Sequence, residues 1–193
     1  MELQRIGIKI YAEDSTAVEM EEFIPVFHRW IRERLIPEHL LIDVADYSHL
    51  WQGPGIVLVS HEANFSLDQA SGHLGLYYQR KEPITGSFPD RLITGLRNAL
   101  KACQLLEEDP ALKGRISFRG EEILIAANDR LLAPAVEETF TQLEQFITTA
   151  AASCYQGEEI ALTRAEGLKE RPAFTIKTNE PVTVRNLLER LAP

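Results

Sequence analysis

The chain lacks every common catalytic signature. It has no GxxxxGK[ST] phosphate loop, no GxGxxG turn, no HExxH, no GxSxG and no Cys/His zinc spacing, so chemistries that depend on those strings are not expected. Cysteine is scarce. The two present, Cys103 and Cys154, stand apart among apolar neighbours in stretches of helical pattern, which predicts buried, reduced thiols. No apolar run approaches 18 residues and no charged-then-apolar leader follows Met1, so neither a membrane span nor a signal peptide is expected, and a cytoplasmic location follows by default. Positive charge is also short: 20 Lys and Arg against 29 Asp and Glu give a formal charge of −9. Such a field repels phosphate backbones, which argues against nucleic acid as partner. The densest basic group, Arg29, Arg32 and Arg34, is interrupted by Trp30, Ile31 and Glu33 and reads as a solvated helix face. Linkers rich in Gly, Ser or Pro are missing too, and residues 1–193 are expected to form a single domain.

What is present is an ordinary globular composition, 45% hydrophobic and 25% charged, in 193 residues. A chain of this size buries roughly two-thirds of its unfolded surface without a disulfide or metal. Residues 5–11 (RIGIKIY) alternate strictly, with Ile6, Ile8 and Ile10 on one side, and predict a half-buried strand. Phe23, Val26, Phe27, Trp30 and Ile31 fall at helical spacing, with Pro25 suited to the first turn and the end expected near Pro37. Residues 40–44 and 56–60 read as two further strands, the latter apolar on both faces and therefore central. A parallel pair needs a crossover of about a dozen residues, more than lie between them, so these two are expected to be antiparallel.

Residues 73–80 predict a fourth strand, with Tyr77 and Tyr78 facing opposite ways, and residues 88–106 a long helix. Residues 115–119 and 122–127 read as a hairpin turning at Gly120-Glu121. Pro134 opens a third helix carrying Val136, Phe140, Leu143 and Ile147. A last strand pair (160–163 and 173–177) and a short helix (182–191) complete the order. The pattern predicts an α+β fold, a mainly antiparallel sheet with about four helices packed on one face, in repeated strand-strand-helix units.

Polar residues that could carry chemistry gather at strand ends. Asp43, Asp46, Tyr47 and His49 follow the second strand; His61, Glu62 and Asn64 follow the third. A His beside a Glu can move protons, and Asp129 in the turn Asn128-Asp129-Arg130 can act as base while Arg130 grips an anion with its planar fork. Antiparallel pairing places the two strand-end groups at opposite ends of strands spanning about 16 Å, so they are not expected to share a metal. The turn Gly53-Pro54-Gly55, beside Tyr47 and Trp51, combines close backbone approach with rigid aromatic area and suits a docking partner.

The run LLIDVADYSHLWQGPGIVLVSHEANFSLD, with NDRLLAP later, resembles that of uncharacterised bacterial proteins. The resemblance covers most of the chain and brings no activity or catalytic residues with it.

Three readings follow. The first is a non-enzymatic binding or assembly protein, a homodimer or partner of another protein, acting through Tyr47, Trp51, Gly53, Pro54, Gly55 and an exposed sheet edge, with no cofactor. The second is a metal-dependent or acid/base enzyme, hydrolase-like, centred on His61 and Glu62 and completed by Asp129 or His73. The third is a small-anion binder using Arg80, Arg119 or Arg130.

Overall fold

Ile6, Ile8 and Ile10 decide which side of the sheet becomes the interior. All three are buried in the computed structural model, which describes residues 2–14, 16–165 and 171–192. Their strand, β1 (Ile6–Ala12), is followed by α1 (Phe23–Glu33), β2 (Leu41–Tyr47), β3 (Gly55–Ser60), β4 (Ala63–Asp68) and β5 (Gly75–Arg80). Then come α2 (Phe88–Glu107), β6 (Phe118–Ala127), α3 (Glu137–Tyr155), β7 (Ile160–Arg164), β8 (Ala173–Thr178) and α4 (Val184–Arg190). The strands form one eight-stranded sheet in the order β2-β3-β4-β5-β1-β6-β8-β7, antiparallel at every pairing. The α+β class with a mainly antiparallel sheet is therefore observed.

Register carries the isoleucine side across the sheet. Ile8 is opposite Tyr78 and Ile125, and Ile10 opposite Leu76 and Ile123. Beyond them Phe65, Leu67, Ile56 and Leu58 continue on one flank, and Phe174 and Ile176 on the other. These residues join side chains of all four helices in one core cluster, including Phe23, Phe27 and Trp30 of α1. Gly95 of α2 lies against Ile8 and Tyr78, and Phe140 of α3 stacks edge-on against Phe174. The intervening strand residues face the other way, and Val57, Val59 and Leu124 stand outside that cluster. Helix ends follow local chemistry: Ser87 and Asp90 form a capping box at the start of α2, and Arg34 closes α1 with a positive φ of 52°.

Several expectations need correction. Residues 63–68 (ANFSLD) form β4, which the sequence reading passed over although Phe65 and Leu67 alternate with Asn64, Ser66 and Asp68. With β4 in place, β3 is one strand from the edge rather than central. The expected hairpin at Gly120-Glu121 is a single strand, β6, in which the turn signal marks an irregularity. There β6 runs from Ile123 to Phe118 while β1 advances only from Ile10 to Ala12. Gly120 is needed because a Cβ would meet the Val182 carbonyl at 2.2 Å. Pro134 does not open α3, whose N-cap is Val136, itself exposed. The strand-strand-helix unit recurs only as β7-β8-α4, because four strands precede α2 and one precedes α3. Cys103 and Cys154 are free and buried as expected, and burial pushes the Cys154 thiol up to about 12.

Three polar groups meet within the core, those of His39, Tyr78 and Asn98. His39 stacks against Phe65 and Tyr78; its Nε2 meets the Tyr78 hydroxyl at 3.5 Å, and that oxygen accepts from Asn98 Nδ2 at 3.5 Å. Burial, helped by the charge of Arg80, pulls the His39 imidazole down to about 4 against a weaker opposing effect of Glu62. The unfolded chain therefore takes up a proton near pH 6.5 that the folded chain refuses until pH 4. The stability this histidine contributes is complete above pH 6.5 and is lost as pH falls toward 4. Urea unfolding should show about 1 kcal/mol lost through His39 between pH 7 and pH 5. A His39→Leu variant should lose that part of the slope; parallel curves for the two proteins would refute the assignment.

Candidate functional site

Strand ends at one margin of the sheet hold the residues expected to be catalytic. His61 and Glu62 form the β3–β4 turn, and Asp129 lies just past β6. Across that margin β4, β5 and β1 intervene, so His61 and Asp129 are about 17 Å apart at the usual strand spacing. Each is engaged locally. One Glu62 carboxylate oxygen accepts the Leu40 N–H at 2.7 Å. Burial alone would raise the Glu62 carboxyl, but backbone hydrogen bonds from Leu40 and its own N–H, with His39 and His61 nearby, hold it below the usual range. Asp129 accepts the N–H groups of Leu131 and Leu132 at 3.1 and 3.2 Å, a turn-closing role. His73 belongs to the β4–β5 turn at the far end of β4 and does not meet His61. Asp46 and His49 lie away from His61, toward the β2–β3 turn, whereas Asp43 sits within β2 opposite Val59, nearer the His61 end. Among the described residues no three His, Cys, Asp or Glu side chains are grouped to hold a metal, and no helix is long and apolar enough to cross a membrane.

The residues expected to bind a partner sit together. Residues 48–54 join β2 to β3 in a tight turn closed by Leu50 N–H to Tyr47 O and Gly53 N–H to Leu50 O, both at 3.0 Å. Gly55 takes φ 66°, and a Cβ there would strike the Leu67 carbonyl at 2.0 Å. This geometry holds Trp51 outward with 92% of its surface exposed, beside exposed Leu50 and Tyr47. The turn walls a cleft of about 670 Å³ against Val18, Met20 and Leu74. Leu40 and Ile42, also exposed, extend the apolar surface along the outer edge of β2, the last strand of the sheet. Arg130 is exposed in the turn after β6, distant from this surface. Of the other arginines considered, Arg80 donates to the Glu82 carbonyl, and Arg119 pairs with Glu13 and Asp14.

A third feature was not anticipated. On the side of the sheet away from the core, Lys9 reaches from β1 to Asp68 on β4, at 2.5 Å, and also donates to the carbonyls of Ala70 and His73. Both charges are buried. The lysine chain passes over Gly75, where a Cβ would lie 2.8 Å from its Cε. Beside it the Tyr77 hydroxyl lies over Gly7, where a Cβ would be 2.0 Å away. Arg171 Nη1 donates to Asn128 Oδ1 at 3.1 Å, which leaves the Asn128 amide NH₂ to donate to the Tyr77 hydroxyl at 2.8 Å. Burial raises the Tyr77 hydroxyl above its ordinary value, outweighing Asn128 and Arg171, so it stays a donor at neutral pH. Two hollows adjoin here, sharing Asp68, Ala70 and Tyr77: one of about 510 Å³ toward Tyr47 and Pro54, the other of about 390 Å³ toward Leu124 and Arg171.

Comparison with protein-family models, with curated proteins and with solved structures finds no match to this chain. The functional reading therefore rests on its own residues.

Removing one member of the Lys9–Asp68 pair leaves a buried charge alone. Lys9→Met should cost about 3 kcal/mol in urea unfolding, and adding Asp68→Asn should restore much of it, because both charges then leave together. Strictly additive losses in this double-mutant cycle would show that the pair is not coupled.

Proposed function

We propose that the chain is a non-enzymatic assembly protein that pairs with a second copy of itself through the β2 edge and the Trp51 turn. One observation carries this reading. Of the exposed large apolar side chains, Leu40, Ile42, Tyr47, Leu50 and Trp51 fall on one strand and its turn, beside a seven-residue edge. An unpaired edge of this length offers a row of free backbone donors and acceptors, and apolar area beside it favours burial on pairing.

Self-pairing suits the charge pattern. A two-fold axis through Val44 sets Asp43 opposite Ala45 and Asp46 opposite Ile42, so no carboxylate directly faces another. An acidic partner would lack that arrangement, and a β2-to-β2 union would continue the antiparallel sheet without a change of geometry. Hydrogen bonds from the Ser48 side chain and backbone hold the Asp46 carboxyl below its ordinary range, so its charge persists near neutral pH and weighs on register.

Trp51 reports the event. In a Trp30→Phe variant its emission should shift to the blue as concentration rises from about 1 to 300 µM, in step with dimer formation seen by sedimentation velocity. Ile42→Lys should keep the chain monomeric with an unchanged melting temperature. A wild-type monomer throughout that range, with unshifted Trp51 emission, would overturn the proposal.

A further inference from the structure

The smaller hollow on the open side of the sheet has an unbalanced charge. Four basic residues border it, Lys9, Arg164, Arg171 and Lys177, but the Arg164 side chain lies on the opposite, helix-covered face over Phe140. Lys9 is neutralised by Asp68, Lys177 pairs with Glu122 at 3.0 Å, and Arg164 pairs with Glu137 on α3. Arg171 alone has no carboxylate partner among the described residues; its one hydrogen bond there goes to the neutral Asn128. A guanidinium carries five N–H donors in a planar fork, so most of its capacity remains for something else.

We propose that this hollow binds a small monocarboxylate with an apolar body. Arg171 and the Tyr77 hydroxyl hold the carboxylate. Tyr77 already accepts from Asn128, which directs its own proton elsewhere, and no acceptor for that proton exists among the described residues. Ala126 and Leu124 give the body an apolar floor, and Ala126, Ala173 and Gly7 keep the region near Arg171 shallow-sided because none extends beyond Cβ. Four residue steps along β6 separate Ala126 from Glu122, about 13 Å at strand rise, which sets the length of the site. At the far end Tyr11 lies against Lys9 and near Glu122.

The charge count selects the class. Among the described residues the lining carries one net positive charge, which balances one carboxylate, whereas a phosphate dianion needs a second cation that the ion pairs have already engaged. A volume of about 390 Å³ lies in the lower range of small-molecule sites and suits a single ring with a short acidic arm. This inference is independent of the assembly proposal, because the residues that carry it lie on β1, β5, β6 and β8 and the segments beside them, away from the β2 edge.

Phenylacetate is the probe, with 2-phenylethanol as its neutral counterpart and phenylphosphonate as the dianion. In NMR titrations of the intact chain up to about 10 mM, phenylacetate should give saturable shifts at Tyr77, Leu124 and Ala126 and raise the melting temperature. Arg171→Gln should weaken binding roughly tenfold or more, and Tyr77→Phe by a smaller factor, while Arg171→Lys, which keeps the charge and loses the fork, should fall between. No saturable shifts, equal binding of 2-phenylethanol, tighter binding of phenylphosphonate, or unchanged binding in a folded Arg171→Gln chain would each overturn the proposal.

Discussion

Successive side chains of a β-strand must point to opposite faces, and on β1 this rule governs the whole molecule. Putting Ile6, Ile8 and Ile10 inward necessarily puts Gly7, Lys9 and Tyr11 outward, at the middle of an eight-stranded sheet. A lysine in that position is far from either edge of the sheet. Its charge is met by Asp68, two strands away, and by two carbonyls of the β4–β5 turn. The reach requires Gly75 beneath it, as the position of Tyr77 requires Gly7. The two glycines are therefore part of the electrostatics: either side chain would displace the polar group lying above it.

Much of the fold was legible because its signals are local. The β1 alternation, the helical stripe of α2 and the tight β2–β3 turn each depend on residues close in sequence. Gly120-Glu121 misled for the same reason: a turn signal read locally cannot reveal that Gly120 is dictated by Val182, a contact 62 residues away. Residues 63–68 were overlooked because His61, Glu62 and Asn64 drew attention as chemistry, although Phe65 and Leu67 keep the strand period. The open-face site was the least legible part. Lys9 and Asp68 are separated by 59 residues, and Arg171 and Asn128 by 43, so no window joins the partners. A lysine between isoleucines in a strand flanked by Gly7 was the one available hint. It pointed to a buried partner without identifying it.

The polar strand-end residues show how residue type differs from available function. Glu62 has the right chemistry for proton transfer, but its carboxylate terminates the backbone of Leu40 and is held ionised. Asp129 has the right chemistry for a base, and closes a turn. Arg171 was never singled out, yet among the described residues its one hydrogen-bond partner is an amide rather than a carboxylate, which leaves most of its donors uncommitted there. Hydrogen-bonding capacity left after folding distinguishes these cases, and it depends on tertiary neighbours.

An open sheet has two edges, and here they are unlike. β7 is five residues long, and its Arg164 is tied to Glu137 of α3 with the guanidinium over Phe140. A short strand bound to a neighbouring helix is a poor template for another chain. β2 is seven residues long and presents Ile42 to solvent, with Leu40 exposed just before it and its only interruption a register shift between Leu41 and Asp43. Asp43 and Asp46 do not close that edge to every partner. They penalise the symmetric registers centred on Asp43 or Asp46, which bring carboxylates face to face, and leave those centred on Val44 or Ala45 free of that cost, so the same two charges that restrain indiscriminate pairing remain compatible with a symmetric union.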